Sequence, residues 1–284
     1  MPAERRIDTS EISDAIRRLV INANLRLPDD VVAALRGALA IEESERGRNT
    51  LQMMLENAAI AGADSIPLCQ DTGVAVVWLA IGQDVILGGG DLSQAVNDGV
   101  RAGYAEGYLR RSIAADPLFE RRNTNDNTPA VLHTDIVPGD QVLITVFIKG
   151  GGSESVGAAR VIPPAEGVEG LKKFVLETVQ AAGPNPCPPI VVGIGAGGTL
   201  DKATEMAKRS LLIPLDEPNP DARLAALEQE LVETINGLGF GPAGQGGRVT
   251  CLGVRITTAP SHIATLPVAV DISCYCLRRA SATL

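Results

Sequence analysis

Five cysteines are the residues of this sequence best suited to bind a metal or an inorganic cluster. Cys69 opens the run CQD, where a thiol, an amide and a carboxylate stand side by side. Cys187 lies in NPCPP, and Cys274 and Cys276 lie in CYCLRRA, whereas Cys251 stands inside the apolar run VTCLGV and is better interpreted as core. The sequence has no C-x2-C pair and no compact ferredoxin spacing, so any cluster must gather thiols from distant segments. On composition alone, buried thiols without a metal are an equal alternative.

Two glycine runs have the composition of anion-binding loops. Gly193, Gly195 and Gly198 match G-x-G-x-x-G between an apolar strand and a helix, and Asp216 stands where a ribose-binding acid would be expected. This pattern makes a dinucleotide-binding module an alternative from another functional class. A glycine-lined helix start also accepts other anions, such as a carboxylate. The run KGGGSES exposes consecutive backbone N–H groups, which predicts either an anion-binding nest or a plain flexible turn.

Composition excludes several classes of protein. The 284-residue chain carries a net charge of −9, which disfavours nucleic acid as a partner. It shows no secretory signal and no apolar run of membrane-spanning length, which predicts a cytoplasmic protein. An odd number of cysteines argues against a disulfide framework. The two histidines, His133 and His262, are more often structural than catalytic when they stand alone, and His262 lies near a proline-rich turn and the last cysteines.

Hydrophobic periodicity predicts an α+β or mixed α/β fold in a single domain over residues 1–284. Helical spacing dominates a lobe of about residues 1–65, and strands and helices mix over about 66–284. Asp8 and Glu11 form a predicted capping box ahead of the first apolar stripe. The run VAVVWLAIG is apolar on both faces and predicts a buried strand. Further helices, each of apolar residues at helical spacing, are predicted from Leu92 onward, over 167–182 and over 200–212.

The ordered motifs resemble class I fumarate hydratases over nearly the whole chain, from about residue 10. They are CQDTG, LRRSI, NTNDNTPAVLHTDIVPGD, KGGGSES, NPCPPIVVGIGAGGTLDKA, GPAGQGG, PSHIATLPVAV and CYCLRRA. The length resembles the separate α subunit of the two-subunit form, and L(+)-tartrate dehydratase α subunits belong to the same family. The NTNDNTPAVLH segment resembles the fumarase branch.

The resemblance implies a hydro-lyase with a [4Fe–4S] cluster. Its three cysteine ligands fall by motif on Cys69, Cys187 and Cys274. In the family His-Ala usually follows the last ligand, but here Tyr275 and Cys276 stand there, so Cys276 is a competing candidate. Three thiolates leave one iron open to bind water or substrate as a Lewis acid, whereas electron-transfer ferredoxins use four.

The resemblance also implies which polar residues face the substrate. Gln70, Arg110 and the backbone N–H of Gly152 correspond to substrate-binding groups, and Asp71 and His262 correspond to catalytic ones. Asp71 is predicted as an acid/base or orienting group. Single-chain relatives carry a further domain with substrate contacts, for which 284 residues leave no room. We therefore expect a separate β subunit that completes the active site, in an α2β2 assembly.

Overall fold

The computed structural model describes residues 5–284, and these divide into two compact units made of discontinuous stretches of chain. The first unit comprises residues 5–28, 58–151 and 278–284, and the second comprises residues 29–57 and 152–277. Helices and strands mix in both, so the predicted α+β class is confirmed. The division falls within the third helix of the helical N-terminal region.

The N-terminal region is helical, as predicted. Its helices are α1 (Thr9–Leu25), α2 (Asp29–Ile41) and α3 (Glu45–Asp64). The predicted capping box is confirmed, because the Ser10 N–H donates to Asp8 Oδ1 and the Asp8 N–H donates to Glu11 Oε1. This box satisfies backbone donors that the first turn of a helix leaves without partners.

The first unit is built on a four-stranded sheet of order β10-β5-β2-β4. Its strands and its further helix are β1 (Arg5–Asp8), β2 (Val74–Gly82), β3 (Val85–Gly88), α4 (Leu92–Glu106), β4 (Val131–Val137), β5 (Val142–Lys149) and β10 (Arg278–Thr283). The strand predicted from VAVVWLAIG is β2, and it is buried along most of its length. α1 and α4 pack against each other and contribute to one apolar core with β2 and β5. The short parallel pair β1–β3 was not predicted, because four residues are too few for a clear period.

The second unit is built on a four-stranded sheet of order β6-β9-β7-β8. Its further elements are the helical turn α5 (Gly151–Glu154), whose first residue belongs to the first unit, β6 (Ala158–Ile162), α6 (Gly167–Ala182), β7 (Ile190–Gly197), α7 (Leu200–Ser210), α8 (Ala222–Asn236), β8 (Cys251–Ala259) and β9 (Leu266–Ser273). β7 is central, parallel to β8 and antiparallel to β9, and all of its residues are buried. The predicted helix over 167–182 is confirmed as α6.

Among residues 5–284, no helix combines the length and the apolar character needed to cross a bilayer.

Candidate functional site

The CQD segment (residues 69–71) forms a bent loop that begins five residues before β2. The Asp71 N–H donates to Cys69 Sγ at 3.4 Å, and Cys69 Sγ lies 3.5 Å from Gln70 Oε1. Cys69 is half-buried, and Gln70 is exposed. The loop thus places one backbone N–H against the Cys69 sulfur and the Gln70 amide beside it.

The Asp71 carboxylate is held from three sides within the first unit. The Gly151 N–H donates to Oδ2 at 2.8 Å, and the Gly73 N–H donates to Oδ1 at 3.0 Å. Arg110 Nη2 lies 3.5 Å from Oδ1, and its side chain is 59% exposed. The glycine run predicted as an anion nest therefore donates one of its N–H groups to this chain's own carboxylate. Asp71 thus joins Arg110 and the glycine run to the CQD segment.

Two buried side chains hold the loop from its inner side, and neither was found by sequence reasoning. Arg278, 2% exposed, donates through Nη1 to the Asp71 carbonyl at 2.7 Å and to Asn24 Oδ1 at 3.2 Å. Tyr104 donates its hydroxyl to the carbonyls of Thr72 and Gly73. Burial raises the pKa of Tyr104, so it is a neutral donor.

The NTNDNTP motif ties the Arg110 loop to the CQD segment. Asn127 is fully buried in a left-handed conformation, accepts from the Ser112 N–H at 2.7 Å and donates to the Gly73 carbonyl at 3.1 Å. Burial alone would raise the pKa of Asp126, but hydrogen bonds from Thr128 and Arg101 outweigh it and lower that pKa to about 2. The dense run of polar residues before β4 is the sequence feature from which these hydrogen bonds could have been predicted.

In the second unit, Cys187 and Cys274 lie on loops at the ends of strands. Cys187 is exposed between α6 and β7, with φ +53°, a conformation rare for residues other than glycine. Cys274 is half-buried just after β9, while its competitor Cys276 is 3% exposed. Burial raises the pKa of Cys251 to about 12, so this thiol is a neutral core group. The three thiols assigned by resemblance are thus the accessible ones, which fits a set of cluster ligands.

A lysine connects the stretches that carry Gly152 and Cys274. Lys208 Nζ pairs with Glu154, two residues after Gly152, and lies 2.9 Å from Asp271, three residues before Cys274. Gly152 is exposed, and an added Cβ would meet only Asn185 O, at 3.7 Å. Packing therefore does not require glycine there.

His262 lies on the exposed loop between β8 and β9 and lines a surface depression of about 500 Å³. The Ala264 N–H donates to His262 Nδ1 at 3.1 Å. A neutral His262 therefore carries its proton on Nε2. Thr199, the N-cap of α7, and Lys202 in its first turn line the same depression.

The G-x-G-x-x-G run has a packing role in this fold. Gly193 and Gly195 lie inside β7, where an added Cβ would fall 2.1 Å from the carbonyl oxygens of Ala207 and Ala203 of α7. A dinucleotide loop needs its glycines in the turn before the helix. The structure therefore gives the dinucleotide alternative no support.

No compact single-ion site accompanies these features. Over residues 5–284, no three side chains among His, Cys, Asp and Glu gather in a way that would hold one metal ion. Cys69 belongs to the first unit, whereas Cys187 and Cys274 belong to the second. Their sharing of one cluster stays a prediction.

Comparisons with known proteins agree with this set of motifs. A protein of Methanocaldococcus jannaschii, provisionally named L(+)-tartrate dehydratase subunit alpha, is 42% identical over 95% of this chain and 96% of its own length. The L(+)-tartrate dehydratase subunit alpha of Escherichia coli K12 is 32% identical over 95% of this chain and 89% of its own. The family model described as fumarate hydratase (Fumerase) matches residues 13–283. The chain therefore belongs to the fumarate hydratase (Fumerase) family, a family of hydro-lyases.

Proposed function

We propose that this chain is the α subunit of a two-subunit [4Fe–4S] hydro-lyase that reversibly hydrates fumarate to L-malate. The observation that carries the proposal is the geometry at Asp71. A carboxylate fixed by two backbone N–H groups and flanked by Arg110 stands two residues from an accessible thiol. One short loop thus offers a cluster ligand together with polar groups for an anionic substrate.

Cys69, Cys187 and Cys274 would hold the cluster. With three thiolate ligands it would supply an open coordination position that acts as a Lewis acid on water or hydroxyl. The accessible positions of these thiols support the assignment, since Cys251 and Cys276 are buried. We assign Cys274 rather than Cys276 for this reason. The use of reduced thiols also supports a cytoplasmic location.

The polar residues would bind and orient the dicarboxylate. The exposed guanidinium of Arg110 pairs with one substrate carboxylate, and the Gln70 amide and the Gly152 N–H donate further hydrogen bonds. Asp71 already accepts from two N–H groups, which favours an orienting role on Arg110. His262 presents Nε2 as the nitrogen able to exchange a proton with substrate.

A separate β subunit would complete the site, in an α2β2 assembly. Support comes from the relatives, which are named as alpha subunits and are covered over 89–96% of their own length. The substrate contacts provided by this chain would then be only part of the set.

Dehydration of L(+)-tartrate is the second candidate. The two relatives described above carry the tartrate dehydratase name, whereas the matching family model is described as fumarate hydratase and NTNDNTPAVLH resembles the fumarase branch. Both reactions remove water from a 2-hydroxydicarboxylate, so the residues assigned above suit either one.

The cluster assignment is tested by iron and sulfide counts on anaerobically purified protein. Cys69→Ser, Cys187→Ser and Cys274→Ser should each lower the iron bound per chain. Cys276→Ser, with the same chemical change at a buried thiol, should leave the count unchanged. Equal iron loss in all four variants, or no iron in the wild type, would reject the assignment.

The substrate is tested by assaying the anaerobic complex with L-malate and with L(+)-tartrate. We expect a higher kcat/KM for malate, measured by fumarate absorbance. A preference of about tenfold or more for tartrate, equivalent to about 1.4 kcal/mol, would establish the second candidate instead.

A further inference from the structure

Glu42 is a buried carboxylate that the proposed reaction does not use. It follows α2 and is 3% exposed. Its oxygens accept from four backbone N–H groups at 2.8–2.9 Å, those of Glu43, Ser44, Arg248 and Val249. Burial alone would raise the pKa of Glu42, but these donors outweigh it and lower the pKa, so the group is ionised at neutral pH.

Two glycines make room for this carboxylate. A Cβ added at Gly47 would lie 2.8 Å from Glu42 Cδ, and one added at Gly247 would lie 2.7 Å from Glu42 Oε1. Gly247 also has φ +131°, which other residues rarely adopt. Glu42 therefore anchors Arg248 and Val249, the two residues directly after the GPAGQGG loop (residues 241–247), about two hundred positions away in the sequence.

The other side of the GPAGQGG loop rests on the Cys187 segment (residues 184–189). The Ala243 N–H donates to the Pro188 carbonyl at 2.7 Å. A Cβ added at Gly244 would lie 2.3 Å from Pro184 Cβ, so the two loops are in close contact. Cys187 and Ala243 both have positive φ, at 53° and 52°. Such conformations cost about 1–3 kcal/mol each and persist only where neighbouring contacts enforce them.

We propose that Glu42 is a positioning residue for the Cys187 thiol, acting through the GPAGQGG loop. The N–H bonds from Arg248 and Val249 fix the C-terminal end of the loop, and the loop contacts the Cys187 segment at Pro184 and Pro188. This inference rests on the proposed function in taking Cys187 as a cluster ligand, but the mechanical coupling exists in the chain without a cluster.

The coupling is tested by amide hydrogen exchange on the full-length, cluster-free chain. Glu42→Gln keeps the side-chain shape but loses one acceptor oxygen and faces an NH2 group toward N–H donors. We expect at least about tenfold faster exchange in peptides covering residues 240–249 and 184–189. The matched control is Glu43→Gln, which removes an exposed carboxylate paired with Arg248 Nη1 at 2.7 Å. It should leave both peptides unchanged. Faster exchange in the first peptide alone would overturn the coupling.

A second variant tests the contact between the loops and leaves Glu42 in place. Gly244→Ala should push the GPAGQGG loop off Pro184 and speed exchange in the Cys187 segment. After anaerobic reconstitution, Glu42→Gln and Gly244→Ala should both release iron to a chelator about tenfold faster than wild type, and Glu43→Gln should not. Wild-type rates of iron release in both variants would overturn the inference. If the wild type takes up no iron, the proposed function fails, and the amide exchange alone then supports or overturns the coupling.

Discussion

Asp71 is held in place through its backbone as well as through its side chain. Its backbone N–H points at Cys69 Sγ, and its carboxylate joins Gly73, Gly151 and Arg110. Its carbonyl is held by the buried Arg278. A residue held through its N–H, its carbonyl and its carboxylate loses little further conformational entropy when substrate binds. We therefore expect the CQD segment to be preorganised.

Asp126 makes the stability of the first unit depend on pH. Its pKa of about 2 lies below the ordinary 3.8, so its stabilising contribution is present above pH 4 and is lost as the pH falls through 2. Asp126→Asn should lower the free energy of unfolding at pH 7 by about 1–2 kcal/mol, after allowance for solvent screening.

Urea unfolding of wild type and Asp126→Asn from pH 7 down to pH 3 measures this contribution. The difference between the free energies of unfolding of the two proteins should become smaller as the pH falls toward 3. The control Asp140→Asn, at an exposed carboxylate, should show no such gap. A difference in the free energy of unfolding that stays constant with pH would contradict its assignment to the lowered pKa of Asp126.

At the scale of elements, long periodic segments were predictable and short polar loops were not. β2 and α6 followed the predicted residues because their apolar periods are unbroken. The helix predicted from the repeat Leu92 to Tyr108 ends at Glu106, where Gly107 and the positive φ of Tyr108 stop it. Tyr104 was predictable as part of an apolar face, but the use of its hydroxyl depends on Thr72 and Gly73, which lie 32 and 31 residues earlier in the chain.

The packing of α7 on β7 gives an element-scale prediction. Gly195→Ala would place a methyl group 2.1 Å from the Ala203 carbonyl oxygen. This oxygen belongs to the backbone of α7, so relieving the clash requires the helix or the strand to move. We expect a loss of about 2–3 kcal/mol in the free energy of unfolding, measured by urea denaturation. The matched control Gly37→Ala, inside α2 with open space around it, should stabilise by about 0.5–1 kcal/mol. Equal effects of the two substitutions would refute close helix–strand contact.

At the scale of the whole molecule, the residues assigned to chemistry are shared between two units. The CQD segment and Arg110 belong to the first, and Cys187, Cys274, Gly152 and His262 belong to the second. Each unit has its own sheet and its own apolar core.

The proposed partner gives a prediction at the same scale. Reconstituted without the β subunit, the chain should bind iron but turn over L-malate at least about 100-fold more slowly than the complex, since missing substrate contacts typically cost that much. Anaerobic kinetics with and without the co-expressed partner measure the ratio. Full turnover by this chain alone would refute the two-subunit proposal.

The sequence by itself determined the family, the α+β class and the candidate residues. The order of the motifs and the period of the hydrophobic residues can be determined from the sequence without a structure. Only the tertiary structure decided which thiols are accessible, that Gly193 and Gly195 serve helix packing, and that Arg278, Tyr104 and Glu42 hold the loops. The physical reason is that burial and hydrogen-bond partners depend on residues far apart in the chain, which spacing along a sequence does not encode.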